Sequence, residues 1–198
     1  MLVLASSSPR RSELLKEWGY EFIRVDAPVS EELTQGIPPE TGVQDLASRK
    51  ALSGLQVWQN LKGGNRDLVL GADTIVVFKD RILGKPKDHK EAEEMLNTLS
   101  ENTHRVMTAI ALAHIDAKRN VNIQTGIEIT IVAFRKLNTK EILNYIATGE
   151  PMDKAAAYGI QGEAKKFAVE VKGSLTNVIG LPMELLSAKL KDKGILPK

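Results

Sequence analysis

The chain has 198 residues, with 27 Lys and Arg against 25 Asp and Glu, a formal net charge of +2 and no cysteine. This near-balance argues against a nucleic-acid-binding footprint, and the lack of cysteine excludes disulfides, thiolate catalysis and cysteine-based zinc sites. No apolar stretch approaches the ~20 residues of a membrane span and no basic region precedes the first apolar run, so we expect a cytoplasmic protein without membrane association.

The first predicted elements are a buried strand and a helix that begins with two arginines. Residues 1–5 form an apolar run, Ser8 suits a helix N-cap, and Pro9 suits the first helical position. Arg10 and Arg11 then lie in the first turn, where backbone N–H groups, serine hydroxyls and guanidinium groups together favour a polyanion. Two interpretations stay open: a site for a di- or triphosphate, or a solvated basic turn.

Helices and strands then alternate along the chain. Strands are predicted over 20–25, 67–78, 105–114, 127–131 and 167–171, and helices over 41–60 and from Asp88, Asn138 and Pro182. The strand 67–78 is expected to be interrupted at 71–74. In the strand 127–131, isoleucines alternate with Glu128 and Thr130, which predicts that these two polar residues face solvent. This order favours one α/β domain over 1–198, with a mixed central sheet and flanking helices.

Asp73 is the most informative single residue, because it lies in an otherwise apolar strand between Leu70 and Ile75. Burial of a lone carboxylate is costly unless a metal, a cation or hydrogen-bond donors lie beside it. Asp73 is therefore either a metal ligand or general base, or a structural aspartate that caps a bulge at Gly71.

Other charged candidates lie at the ends of predicted elements. Glu31 and Glu32 are adjacent carboxylates in a proline-rich loop, where they either bind Mg²⁺ or are simply solvated. Lys50 borders the apolar face of the predicted helix 41–60, and Lys85 stands between a glycine and a proline. Cations and carboxylates in combination are what phosphoryl transfer requires, because both share the developing charge.

A run of small residues at 155–162 contains Gln161, whose amide is able to read the edge of a nucleobase because it both donates and accepts. The alternative is a packed turn with an exposed glutamine. The chain has neither the glycine-rich P-loop motif nor the Gly-x-Gly-x-x-Gly motif of dinucleotide-binding folds.

Six short segments occur in a characteristic order: LASSSPRR (4–11), GADT (71–74), GKP (84–86), THRVMTA (103–109), DKAAAYGIQG (153–162) and VIGLP (178–182). In them the chain resembles the Maf family, the septum-formation-inhibitor-like nucleoside triphosphate pyrophosphatases. The resemblance implies a two-lobed, ITPase-like architecture with a cleft and often a homodimer. It also implies a divalent metal cation, Mg²⁺ or Mn²⁺, and hydrolysis of a nucleoside triphosphate to the monophosphate and pyrophosphate.

The segments SPRR, ADT and YGIQG are similar to those of the dTTP/UTP pyrophosphatase group, so the resemblance implies a pyrimidine nucleoside triphosphate as substrate. By motif position it implies Asp73 as proton acceptor and Glu32 with Asp73 as metal ligands. The other catalytic positions that it implies are Lys50, Lys85 and Glu32. The substrate-binding positions that it implies are Ser6, Arg10, Arg11, Thr74 and Gln161, with Arg10, Thr74 and Gln161 selecting the base.

The chain departs from this family in the fifth of these segments and just after it. Ala156 stands where many relatives have glycine, and Ala164 also replaces a usual glycine. Two other functions stay open: a nucleotide-binding regulator of cell division in which hydrolysis is incidental, and a nucleic-acid binder, although no basic stripe with aromatic residues is visible.

Overall fold

The computed structural model describes residues 1–32, 36–61, 63–64 and 66–198. Within them the strands are β1 (Leu2–Ala5), β2 (Phe22–Val25), β3 (Leu68–Phe78), β4 (Arg81–Leu83), β5 (Thr103–Ile115), β6 (Val121–Phe134) and β7 (Ala168–Lys172). The α-helices are α1 (Pro9–Glu17), α2 (Pro39–Asn60), α3 (His89–Leu99), α4 (Thr139–Ala147), α5 (Leu175–Ile179) and α6 (Met183–Asp192). Short 3₁₀ helices cover Glu150–Asp153, Ala155–Ala157 and Glu163–Phe167.

The strands form one sheet in the order β2-β1-β3-β5-β6-β7, and β4 pairs with β3. β1 lies parallel to both β2 and β3, with Ala5 opposite Gly71 in the second pairing. β4 is antiparallel to β3, and β7 is antiparallel to β6. The combination of parallel and antiparallel pairs with flanking helices confirms the predicted mixed α/β class.

Contacts divide the chain into two compact units, each built from separate stretches of sequence. Unit 1 comprises Met1–Asp73, Thr108–Glu128 and Gly180–Lys198, and unit 2 comprises Thr74–Met107 and Ile129–Ile179. The boundary therefore cuts β3 between Asp73 and Thr74. The single domain expected over 1–198 stays a prediction.

The start of the chain follows the sequence prediction closely. β1 is buried along its length, α1 begins at Pro9 with Ser8 as N-cap, and Gly19 takes a positive φ of 77° just beyond the helix. The serine cap differs in detail, because the Ser8 side chain makes no capping hydrogen bond. Its backbone N–H donates instead to Ser6 Oγ (3.2 Å), which fixes the turn that leads into the arginines.

β3 runs without interruption from residue 68 to 78, so the predicted break at 71–74 is wrong. Gly71 and Ala72 are both buried in the strand. Because glycine has no side chain and alanine has only a methyl group, these two residues permit close packing against the strand and do not form a bulge. Asp73 therefore lies in the middle of a continuous strand.

The prediction that Thr130 of β6 faces solvent is wrong. Its side chain is fully buried, with 0% exposure, whereas Ile129 and Ile131 are 39% and 40% exposed. The Thr130 hydroxyl donates to the Ser174 carbonyl oxygen (3.0 Å) and accepts from Asn177 Nδ2 (2.9 Å). Because both hydrogen-bonding capacities are satisfied, the hydroxyl is tolerated in the interior.

The helix starts in unit 2 are capped by side chains. Asn138 and Glu141 form the predicted capping box at α4. At α3, Asp88 accepts from the Glu91 N–H (2.8 Å), but the Glu91 carboxylate accepts from the Lys87 N–H (2.7 Å) instead of from Asp88. The predicted reciprocal box at Asp88 is therefore formed in only one of its two bonds. None of the described helices has the length and hydropathy needed to cross a membrane.

Ala156 adopts a left-handed backbone conformation, with φ +54° and ψ +26°. A Cβ in this region costs about 1–2 kcal/mol, whereas glycine adopts it freely. We expect Ala156→Gly to raise the thermal midpoint by roughly 2–4 °C, which corresponds to about 1 kcal/mol in a chain of this size. Ala92→Gly, a substitution within helix α3, should lower it. A midpoint for Ala156→Gly below that of the wild type in calorimetry would contradict this account.

Candidate active site

A buried cation lies between two carboxylates in unit 1. Lys50 Nζ donates to Asp73 Oδ1 (2.7 Å) and to Glu31 Oε1 (2.9 Å). Lys50 and Asp73 are both buried, while the Glu31 carboxylate is mostly exposed. Of the partners predicted for a buried Asp73, a metal, a cation or hydrogen-bond donors, the structure shows a cation, Lys50, which comes from the helix rather than from a neighbouring strand.

The position of Lys50 depends on a close approach of α2 to β3. At Gly71 an added Cβ would lie 2.4 Å from the Ala47 carbonyl oxygen and 2.4 Å from the Ala51 N atom. One turn further along α2, a Cβ on Gly54 would lie 2.3 Å from the Ala5 Cβ. Only glycine permits these separations, so the helix backbone rests directly on the strands on both sides of Lys50.

Arg11 is the second buried cation of unit 1. Its Nε donates to the Gly180 carbonyl oxygen (2.9 Å) and its Nη1 to Ser6 Oγ (3.2 Å). Burial lowers the pKa of Arg11, the charge of Asp73 opposes that shift, and Arg10 adds to it. Ser6 and Arg11 are thus brought together in direct contact, and Arg10, which is half-buried, acts on the same guanidinium group.

The loop before α2 presents Glu31, and not Glu32, to this cluster. Arg49 donates to the carbonyl oxygens of Ser30 (2.6 Å) and Glu32 (2.9 Å), which holds the loop backbone against the helix. The Glu31 side chain then reaches Lys50, whereas Glu32 is exposed. The family motif indicated Glu32, whereas Glu31 is the carboxylate in direct contact with Lys50.

Unit 2 carries the other positions singled out in the sequence. Thr74 follows Asp73 on β3 and is half-buried, and Lys85 is exposed beyond β4. The carbonyl oxygen of Gly84 accepts from the Ala156 N–H (2.9 Å), which ties the Lys85 segment to the run of small residues. Gln161 is exposed and borders a cavity of about 520 Å³ lined also by Ile160, Lys165, Val171 and Leu175 among others.

His104 and Tyr158 form a buried polar pair in unit 2 that sequence reasoning placed in motifs but gave no role. His104 Nε2 and the Tyr158 hydroxyl are 2.7 Å apart, and both rings pack edge-to-face with Phe134. Among the described residues His104 Nδ1 has no hydrogen-bond partner. A buried imidazole ring with one unsatisfied nitrogen is expected to be neutral. The contact with His104 also holds Tyr158, the residue directly before Gly159, in place.

Burial lowers the pKa of His104 to about 4 from the usual 6.5. Between these values the unfolded chain takes up a proton that the native state excludes, so the contribution to stability is complete above pH 6.5 and is lost as the pH falls through 4. We expect that loss to reach ~3 kcal/mol. His104→Gln should make the free energy of unfolding less steeply dependent on pH between 7 and 4.5, and Asn97→Gln, an exposed substitution on α3, should not. Equal slopes for all three proteins in denaturant titrations would contradict this assignment.

The described residues contain no group of three or more His, Cys, Asp or Glu side chains that could hold a metal ion by themselves. The donors that converge are the carboxylates of Asp73 and Glu31, which meet at Lys50 Nζ. Oxygen donors of this kind suit a hard cation, and Mg²⁺ is usually held by one or two carboxylates together with substrate phosphates and waters. The donor set therefore fits a metal that binds together with an anionic substrate.

Comparison with known proteins identifies the family of this chain. The family model described as "Maf-like protein" matches residues 1–193. The dTTP/UTP pyrophosphatase of Desulfitobacterium hafniense is 53% identical over 98% of this chain and 86% of its own length. Those of Acetivibrio thermocellus and Pelotomaculum thermopropionicum are 46% and 43% identical, each over 98% of this chain and 96% of their own length. The chain belongs to the Maf-like protein family.

Proposed function

We propose that this chain is a nucleoside triphosphate pyrophosphatase that hydrolyses dTTP and UTP to the monophosphate and pyrophosphate. The supporting relatives carry the name dTTP/UTP pyrophosphatase and match nearly the whole chain at 43–53% identity. The structural observation that supports the activity most strongly is the buried contact of Lys50 with Asp73, in the same unit as the buried Arg11.

Asp73 is proposed as the general base that accepts a proton from the attacking water. Its carboxylate is held by Lys50 in a site from which most solvent is excluded, where a fixed charge acts more strongly than in bulk water. Lys50 would in turn neutralise charge that develops at the α-phosphorus, because its ammonium group is already fixed in place.

Ser6, Arg10 and Arg11 are proposed to bind the β- and γ-phosphates. They lie at or just before the first turn of α1, whose N-terminus carries partial positive charge. The hydrogen bonds from Arg11 to Ser6 and to Gly180 fix one guanidinium group before substrate arrives, which reduces the entropy lost on binding.

A divalent cation, Mg²⁺ or Mn²⁺, is proposed as the cofactor, held by Asp73 and by Glu31 or Glu32. Glu32 is the position implied by the family motif, and Glu31 is the one whose carboxylate converges with Asp73 on Lys50. When bound, such a cation would offset the negative charge of the triphosphate.

For unit 2 we propose that Lys85 contributes positive charge to the phosphates and that Thr74 and Gln161 select the pyrimidine. The amide of Gln161 borders a cavity and is able to both donate and accept hydrogen bonds, as thymine and uracil require. These assignments rest on motif position and on the local structure of unit 2. A cytoplasmic homodimer is proposed for the assembled protein.

Incubation of the purified protein with Mg²⁺ and each of dTTP, UTP, dCTP, CTP and dGTP tests the proposed function. We expect pyrophosphate and the monophosphate from dTTP and UTP, resolved by ion-exchange chromatography. Release of orthophosphate would indicate cleavage at the γ-phosphorus and overturn the proposal. Tight binding of nucleotide without pyrophosphate would instead favour the regulator of cell division.

A further inference from the structure

The segment around Gln161 is held at both ends by side chains from α4 and the turn that follows it. The Gly159 N–H donates to the Tyr145 hydroxyl (3.3 Å), and the Glu163 N–H donates to Glu150 Oε2 (3.2 Å). Gln161 itself is exposed, so its position depends on these anchors in its backbone rather than on burial of its own side chain.

The two anchors are joined to each other. The Tyr145 hydroxyl donates to Glu150 Oε1 (3.0 Å), which leaves the other carboxylate oxygen for the Glu163 N–H. Tyr145 is buried against Phe167 with the two rings edge-to-face, 5.3 Å between centroids. Burial and the Glu150 charge both raise the pKa of Tyr145, so the phenol keeps the proton that it donates.

Glu150 also lies against the backbone of the segment. A Cβ added at Gly162 would lie 2.0 Å from Glu150 Oε1, so the carboxylate occupies the space that any other residue would need. A Cβ added at Gly159 would likewise lie 2.7 Å from Lys154 Cε, and Lys154 Nζ donates to the Glu150 carbonyl oxygen (2.7 Å). The backbone path of residues 159–163 is thus shaped by contacts with Glu150 and Lys154.

We infer that Glu150 is a positioning residue that sets the orientation of Gln161 and thereby the preference for thymine and uracil over cytosine. An amide presents one donor and one acceptor, so its orientation decides which base edge it matches. Glu150 contacts the backbone of the segment that carries Gln161, at Gly162 and Glu163, and acts on Gln161 through that backbone. This inference rests on the proposed function for its substrate, but the ordering of 159–163 by Glu150 does not.

The variant Glu150→Leu keeps much of the bulk of the side chain and removes both acceptor oxygens. It loses the bonds to the Tyr145 hydroxyl and to the Glu163 N–H, because an alkyl group cannot accept. We expect kcat/KM for dTTP to fall about 10- to 100-fold. The kcat/KM for dCTP should change by less than about twofold, so the ratio of kcat/KM for dTTP to that for dCTP should also fall about 10- to 100-fold. Tyr145→Phe should shift the ratio in the same direction, and Glu94→Gln, on the exposed side of α3, should leave it unchanged.

Amide hydrogen exchange of residues 159–163 supplies a readout that needs no hydrolysis. We expect the Gly159 and Glu163 amides to exchange at least tenfold faster in Glu150→Leu than in the wild type. Unchanged exchange overturns the inference whatever the activity. An equal fall in kcat/KM for every nucleotide also overturns it, since that result indicates a purely structural role. Absence of pyrophosphate release in the wild type refutes the proposed function instead, and exchange then still decides whether Glu150 orders the segment.

Discussion

Asp73→Asn is expected to lower turnover of dTTP by about a hundredfold or more while the protein remains folded. The amide is nearly isosteric with the carboxylate, but it accepts a proton from water far less readily. Its oxygen is still able to accept the hydrogen bond from Lys50 Nζ, now 2.7 Å from Asp73 Oδ1, and Glu31 keeps a second contact to the same ammonium group. The substitution therefore removes the base without leaving the buried lysine unpaired.

Steady-state rates of pyrophosphate release, together with the thermal midpoint, measure the result. Asp192→Asn is the matched control, because Asp192 is an exposed carboxylate at the C-terminal end of α6. Its turnover should equal that of the wild type. Near-normal turnover of Asp73→Asn would show that another group accepts the proton.

Gly71→Ala should destabilise the protein strongly and reduce activity with it. The new methyl group would meet backbone atoms of Ala47 and Ala51 at 2.4 Å, which no rotamer change relieves. Overpacking of this kind costs roughly 1–3 kcal/mol or more. For a chain of this length that corresponds to a fall in thermal midpoint of about 2–12 °C. Because relief requires α2 to move outward, Lys50 should also be drawn away from Asp73.

Calorimetry and the kcat for dTTP together measure this effect. Gly84→Ala is the matched glycine control for stability, since a Cβ there meets nothing within 4 Å and its φ is not positive. Its thermal midpoint should stay close to that of the wild type. If the thermal midpoint of Gly71→Ala equals that of the wild type, then α2 does not rest on β3 at this residue.

Local rules were sufficient for much of the fold. The apolar run at 2–5, the proline at the start of α1 and the capping box at Asn138 each carry their own signal within a few residues. The position of Asp73 inside an apolar strand also predicted that a metal, a cation or hydrogen-bond donors would lie beside it. These features depend on neighbours in sequence, and the sequence therefore contains what is needed to predict them.

Other features depended on contacts between distant residues. The burial of Thr130 is stabilised by hydrogen bonds with Ser174 and Asn177, more than 40 positions away, so alternation alone assigned it to the wrong face. The break expected at 71–74 was wrong because small residues there serve helix packing. Glu31 was distinguished from Glu32 only by the way Arg49 holds the loop backbone.

The division of β3 between Asp73 and Thr74 has a consequence for how such enzymes diversify. The residues proposed for proton transfer and for phosphate binding at the start of α1 all come from unit 1, whereas Gln161 and the side chains that hold it come from unit 2. Each set therefore lies in a different compact unit. Mutations that alter which nucleotide is accepted can therefore accumulate in the second set without disturbing the machinery that breaks the anhydride bond, and a laboratory effort to redirect the enzyme toward a modified base should begin with residues 145–163.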